Sequence, residues 1–425
     1  MRNLFLLILA ALLAMALWAL LVLVATLEGW GRQAAAPSGD ARAFFETSVA
    51  AIDAAEQGAV AFVLIEKGEV FGEHYVSAGA RVSRDTLFQL ASLSKWATAL
   101  GVLKLAADGK LDLDAPVSRY LTRWQLPESE FGTDGVTARR LLSHMGGLTD
   151  GLGYMGFAPG TPVQTLEASL TQAADPMPGA DGRTRIGQAP GSSWSYSGGG
   201  YALLQLLIEE ISGEPFAAYM KRAVFAPLGM SQATFDLAAA EEAGLAPCFD
   251  ADGAPCAYNS FAAPAAAALH ASAADLARFL EAQMEGARDP ALPPALAAAM
   301  SAPHATQYGV PIWGLGVILY AEAPGTGRPG GYIIGHEGMN FPAIETTARL
   351  DPATGDGIIV LATGNPGLPA QLGGEWVYWH AGEVDVREID GRIPAMLRAL
   401  LAGWAVILFL AAFGLIRARR ARRRH

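Results

Sequence analysis

Apolar residues dominate two stretches at the ends of the chain. Asn3 to Leu27 reads NLFLLILAALLAMALWALLVLVATL, and Ala399 to Ile416 reads ALLAGWAVILFLAAFGLI; neither contains a charge. A helix of about 20 apolar residues crosses a bilayer, so the first run predicts a span and the second a shorter one. Between them the pattern changes. Residues 31–45 read as a linker leading into a helix. From Gly58 to Ala80, two β-rich runs flank Lys67-Gly68 and predict a hairpin. From Ser92 to Ala107 the apolar positions follow helical spacing, and Gly109 supplies a stop. Leu111 to Ala305 is mostly helical text broken by Gly/Pro loops. Tyr201–Gly213 and Ala273–Gly286 are its clearest helices, and the Ala-rich tract 262–300 reads as helix or low-complexity connector. Strand character returns in Trp313–Glu322, Gly331–Gly338, Ala343–Pro352 and Asp356–Gly364, and such tight turn spacing predicts antiparallel pairing. Strands at both ends of a helical middle imply an α/β (α+β) fold. One antiparallel sheet, closed by both ends of the domain, is flanked by helices and carries an inserted helical lobe. The site is expected between sheet and lobe.

Composition sharpens the ends more than the middle. Of 425 residues, 52% are hydrophobic and 17% charged, more apolar than a usual soluble domain. The first apolar run exceeds the roughly 7–15 residues of a signal-peptide core, which favours an uncleaved anchor; RQAAAPSG (Arg32–Gly39) keeps a cleaved reading open. The arginines at 417, 419, 420, 422, 423 and 424 follow the second run and fit the positive-inside rule. With Arg2 they predict cytoplasmic termini at an inner membrane and a periplasmic or extracellular middle. The expected organisation is an anchor at 1–30, a domain at 31–392, a second span at 393–416 and a basic tail at 417–425. The net charge of −11 sits on a body more acidic than the total, which argues against a nucleic-acid partner. The two cysteines, Cys248 and Cys256, flank a Gly/Pro/Asp turn; in an oxidising compartment they are candidates for a disulfide, and otherwise are two thiols.

The chemistry concentrates in QLASLSKWAT, Gln89 to Thr98. Ser92 stands at the expected helix start, and Lys95 lies three residues on, on the same face. A serine hydroxyl needs a base, and a lysine serves as one when burial and a positive helix end depress its pKa. The plainer reading makes Ser92 an N-cap and Lys95 a solvated first-turn residue. No G-x-S-x-G elbow and no H-E-x-x-H cluster is present, so an α/β-hydrolase or a zinc hydrolase lacks its motif.

Four blocks raise the first reading. FQLASLSKWATALGVLKLAADGKLDLDAPVSRYL (Phe88–Leu121), RRLLSHMGGL (Arg139–Leu148), APGSSWSYSGGGYALLQLLIEEISG (Ala189–Gly213) and GHEGMN (Gly335–Asn340) occur in this order. Together they resemble the serine β-lactamase and penicillin-binding protein family, in its class C-like branch, over roughly Ala59 to Gly364. The resemblance implies a β-lactamase/transpeptidase-like fold and acyl-enzyme chemistry, with no metal and no organic cofactor. It implies Ser92 as nucleophile, Lys95 as its proton partner and Tyr196 sharing the proton transfer. His336 and Gly338 match the third motif, and the backbone N–H groups of Ser92 and Met339 would hold the oxyanion. The expected partner is a small-molecule or peptide substrate: a D-amino-acid peptide, a β-lactam or a small ester. Two departures bear on this. Gly198 stands where the family usually has Asn, and no lysine follows Lys221. They point toward esterase or peptidase relatives, and Asn340 is a candidate to supply the missing amide. The alternative is a membrane-tethered, penicillin-recognising sensor or binding module of the same fold that acylates once without turnover or only recognises its ligand.

Overall fold

The computed structural model describes residues 2–55, 57–151, 153–288, 290–324 and 331–422. Contacts divide the chain into two compact units, one built from 1–34 with 382–425 and one from 35–381.

The smaller unit is a pair of long helices. Helix α1 covers Arg2–Leu27, and α13, the last of thirteen among the described residues in chain order, covers Ile389–Arg422. Each contains a stretch long and apolar enough to cross a membrane, Phe5–Leu27 and Gly391–Arg417. Their contacts run in opposite directions. Arg32 meets Glu388 at 2.7 Å, the Trp18 indole donates to Ala399 O at 3.1 Å, and the Trp404 indole donates to Met15 O at 3.0 Å. The helices are therefore antiparallel. The last tail residues, including Arg423 and Arg424, lie outside the described residues.

The larger unit is built on an eight-stranded sheet. Its strands are β1 (Ala59–Glu66), β2 (Glu69–Ser77), β5 (Ala305–Gln307), β6 (Val310–Trp313), β7 (Ile318–Glu322), β8 (Tyr332–Asn340), β9 (Ile344–Asp351) and β10 (Asp356–Thr363). The order is β2-β1-β10-β9-β8-β7-β6-β5, and every pairing is antiparallel. The expected hairpin turns at Lys67-Gly68, both with positive φ. β1 pairs with β10, so both ends of the domain close one sheet. β1, β9 and β10 are almost wholly buried, as strands covered on both faces must be. One cover is α2 (Ala41–Ala54) with α12 (Leu368–Ala381). Beneath α12, buried Arg349 lies 3.9 Å from the Tyr320 ring centroid and 2.7 Å from Glu337. Gly373 leaves it room, since a Cβ there would stand 2.6 Å from Arg349 Nε.

The other cover is the helical lobe. Its centre is α3 (Ser94–Ala107), buried on nearly every side as an all-round apolar helix must be. Around it lie α4 (Ala138–Leu142), α5 (Leu166–Gln172), α6 (Gly198–Ser212), α7 (Phe216–Met220), α8 (Leu237–Ala243), α9 (Pro264–Ala267), α10 (Ala273–Glu281) and α11 (Pro294–Ser301). The Ala-rich tract is thus three short helices and a strand. That strand, β4 (His270–Ser272), pairs with β3 (Leu87–Gln89) in a two-stranded sheet. The run expected as one strand over Trp313–Glu322 is two, β6 and β7, because Gly314 and Gly316 break it; Gly316 has φ 80°, and a Cβ there would meet Ala99.

Candidate active site

Strand β3 ends directly before the nucleophile candidate. Leu90 donates its N–H to Leu269 O at 2.7 Å, and its own carbonyl accepts from Thr346 Oγ1 at 2.8 Å. Ala91 then takes φ 49°, a left-handed conformation that costs an L-residue energy. Ser94 locks the bend: its hydroxyl donates to Ala91 O at 2.6 Å and accepts from Leu269 N–H at 2.9 Å. Ser92 therefore sits in a 3-10 turn, Ala91–Leu93, just before α3 and not within it. The N–H groups of such a first turn have no partner within the helix. Lys95 Nζ donates to Ser92 Oγ at 3.1 Å and to Ala266 O at 2.7 Å, and the side chain is buried. The ammonium is thus held by one carbonyl and one hydroxyl, away from water.

An aromatic wall closes on that ammonium. Tyr196 occupies the extended segment before α6, with its ring centroid 5.1 Å from Lys95 Nζ; the Tyr201 centroid, on α6, is 5.5 Å away. Both fall within cation–π range. The His144 ring lies tilted against Tyr196 at 4.3 Å and edge-on to Trp313 at 4.8 Å. Its Nδ1 accepts the Ser197 N–H at 3.1 Å, which fixes the side chain as a neutral imidazole. Burial, then the Lys95 and His336 charges, hold it well below the usual histidine pKa. Like Ala91, His144 has a left-handed backbone, φ 57°. A non-glycine residue at positive φ persists where its surroundings over-determine it.

Strand β8 supplies the opposite wall. β7 pairs with β8 only as far as Gly335, whereas β9 continues to Asn340, so His336–Asn340 has a strand on one side alone. His336 is buried, 5.5 Å from the Trp313 ring. At Gly338 a Cβ would stand 2.2 Å from Leu90 O. The space that glycine saves is used first by the nucleophile turn, which presses against the strand. By strand alternation Met339 shares its face with Glu337, and its side chain is exposed. Asn340 points inward, but its amide donates to Gln89 Oε1 at 2.8 Å and Ala267 O at 3.1 Å, not to the lysine.

The place of the expected asparagine is filled differently. Ser197 caps α6 through Gly200 N–H, and the Asp150 carboxylate accepts from Gly199 N–H. A Cβ on Gly199 would stand 2.2 Å from Asp150 Oδ2. Burial raises the Asp150 pKa to about 6 against these hydrogen bonds. Among the described residues no cluster of three His, Cys, Asp or Glu side chains is arranged for a metal. Cys248 and Cys256 are bonded to each other and close the turn Phe249–Pro255. They pack with Tyr258 and Ile344 in a small cluster of their own.

The model of the family described as Beta-lactamase matches residues 45–383. The chain belongs to that family. Beta-lactamase relatives include esterase EstB of Burkholderia gladioli, 35% identical over 174 residues, which cover 37% of this chain and 41% of that protein. Penicillin-binding protein 4* of Bacillus subtilis is 34% identical over 162 residues, covering 38% and 33%. The chain thus spans well under half the length of these curated relatives. Among solved structures, the octameric penicillin-binding protein homologue from Pyrococcus abyssi superposes with a TM-score of 0.64 at 23% identity, covering 81% of this chain and 78% of that one. It supports the beta-lactamase fold.

Within that fold Ser92, Lys95, Tyr196, His336 and Gly338 converge between sheet and lobe. Sequence reading did not assign roles to His144, Trp313, the Ala266 carbonyl or Trp194, whose ring lies 6.3 Å from His144 and 5.6 Å from Trp313. His144 lay in a block singled out by motif, which was the one available signal. A main-chain acceptor such as Ala266 O leaves none.

Proposed function

We propose that the chain is a membrane-anchored serine hydrolase that acts through an acyl-enzyme on an ester or amide bond. The observation that carries this is the buried Lys95 ammonium, bridging Ser92 Oγ and Ala266 O beneath Tyr196. In the proposed reaction Ser92 Oγ bonds to the substrate carbonyl carbon while its proton passes to the unprotonated member of the Lys95–Tyr196 pair, either the lysine amine or the tyrosine phenolate. Backbone N–H groups of Ser92 and Met339 receive the oxyanion. Collapse breaks the bond to the leaving group, which takes the proton. Water then attacks the acyl group and restores the Ser92 hydroxyl.

Small uncharged esters are the favoured substrates. Gly198 offers no side-chain amide, and no lysine after Lys221 offers a cation for a substrate carboxylate; such groups favour peptide and β-lactam carboxylates over simple esters. The antiparallel helices α1 and α13, with arginines after the second, support a two-span anchor at the inner membrane. Both termini would be cytoplasmic and the domain periplasmic or extracellular.

The test uses the full chain in detergent with a fluorophosphonate label, p-nitrophenyl esters, D-alanyl-D-alanine peptides and a fluorescent penicillin. Label on the wild type, absent from Ser92→Ala, with turnover of the esters, supports the reading. Equal labelling of the two overturns it, and esters that acylate Ser92 without later release of the acid make the protein an acceptor and not a hydrolase.

A further inference from the structure

Two buried amides join the segments that carry the reactive groups. Gln89 is the last residue of β3, three before Ser92, and Asn340 is the last residue of β8. Asn340 Nδ2 donates to Gln89 Oε1 at 2.8 Å and to Ala267 O at 3.1 Å. Ala267 follows Ala266, whose carbonyl receives the Lys95 ammonium. Gln89 Nε2 in turn faces Asn259 O at 3.2 Å and His270 Nε2 at 3.3 Å, and His270 is the cross-strand partner of Gln89 in register. The chain of donors runs one way, from Asn340 to Gln89 to His270, so His270 accepts at Nε2 and is neutral. Gln89, Asn340 and His270 are all buried, so each amide is fixed by its partners and not by water.

We propose that Gln89 and Asn340 form a two-amide clamp that sets the reach from Lys95 to Ser92, and that both are positioning residues for acyl transfer. Each of three reactive elements has one attachment to the clamp. The nucleophile turn leaves from Gln89, the lysine's carbonyl anchor adjoins Ala267, and the edge strand ends at Asn340. Their amides bond to each other, to main-chain carbonyls and to His270, so they act on the reacting atoms through the segments they hold. An error of about 1 Å in such a setting costs on the order of 100-fold in rate.

This inference rests on the hydrolase reading, and its test separates the two. Gln89→Met keeps the length and removes the amide, as Asn340→Leu does; both are made singly and together in the full chain. The rate of Ser92 phosphonylation by a fluorophosphonate is measured below the unfolding temperature of every variant, across pH, beside hydrogen exchange. Each single variant is expected to slow labelling by about 10- to 100-fold, the double variant by little more than one single, and a limb of the pH profile to move. Exchange is expected to rise in residues 90–94 and 265–269 and not elsewhere. Wild-type rates in folded variants, or a multiplicative double effect with an unmoved pH limb, would overturn the clamp. A wild type that takes no label overturns the hydrolase reading instead. In that case the exchange result alone decides whether the clamp holds these segments: a local rise supports it, and unchanged exchange sinks it.

Discussion

A Cβ on Gly198 would stand 3.1 Å from the Tyr154 ring carbon Cε2 and 3.1 Å from the Gly153 Cα. Gly153 and Tyr154 thus occupy space that a side chain at position 198 would need. Gly198→Asn alone is therefore expected to destabilise the domain by about 1–3 kcal/mol through overpacking, without gain of penicillin acylation. Tyr154→Ala with Gly198→Asn is expected to recover most of that stability. Thermal unfolding of the two variants checks this; equal melting temperatures would mean the loop yields freely.

Much of this arrangement was legible in the chain. The hairpin at Lys67-Gly68, the closing strands and the α6 helix follow from turn residues and periodicity, which are local signals. The S-x-x-K spacing placed Ser92 and Lys95 together because three residues on is a helical neighbour in either helix type. What was not legible is long-range. The β3–β4 pair joins residues about 180 positions apart in three-residue strands, too short for any alternation to register. Asn340 was a candidate to supply the amide that Gly198 lacks, and its amide is committed to Gln89 and Ala267. Only the packing of Gly338 on Leu90 settles which way the strand end faces.

The lysine's two contacts give a second prediction. Lys95→Met keeps the apolar stem and leaves Ala266 O without its donor. Under the proposed mechanism it is expected to lower the acylation rate by at least about 100-fold, the scale of general-base catalysis. Stability is expected to change by only about 1–3 kcal/mol, the range for one unsatisfied buried carbonyl. Lys95→Arg is expected to fail as well, since a planar guanidinium stays protonated near neutral pH. Acylation that survives in both variants would assign the base elsewhere.

Asp150 supplies a pH dependence with a definite sign. Its folded pKa, about 6, exceeds its ordinary value of 3.8 because of burial, against hydrogen bonds from Ser197 and Gly199 and the attraction of Lys95. The folded state therefore holds this proton more tightly, and the contribution to stability is complete below about pH 3.8 and lost as pH rises through 6. His270 acts oppositely: burial lowers it to about 4, so its contribution is present above pH 6.5 and lost toward 4. Asp150→Asn isolates the first effect. It keeps an acceptor for Gly199 N–H, and is expected to be more stable than wild type at pH 8 by up to about 3 kcal/mol. The gap should close by pH 4. Denaturant unfolding at the two pH values checks the sign, and a gap that widens toward pH 4 would contradict it.

The two long helices are joined by paired indoles, and this gives a prediction independent of catalysis. Trp18 donates to Ala399 O and Trp404 to Met15 O. Gly403 makes the approach possible, since a Cβ there would fall 2.0 Å from Trp18 Nε1. Small residues let helices approach closely in lipid, and each interhelical hydrogen bond there is worth about 0.6 kcal/mol on average. Trp18→Phe and Trp404→Phe are thus expected to weaken the pair mildly, and Gly403→Leu to separate it. Protease sites placed near Pro37 and Gly382 would release both helices from the folded domain. In mild detergent the wild-type helices are expected to stay together after cleavage, and the Gly403→Leu helices to part. Co-isolation of the Gly403→Leu pair at wild-type yield would show that the indole contacts do not hold it.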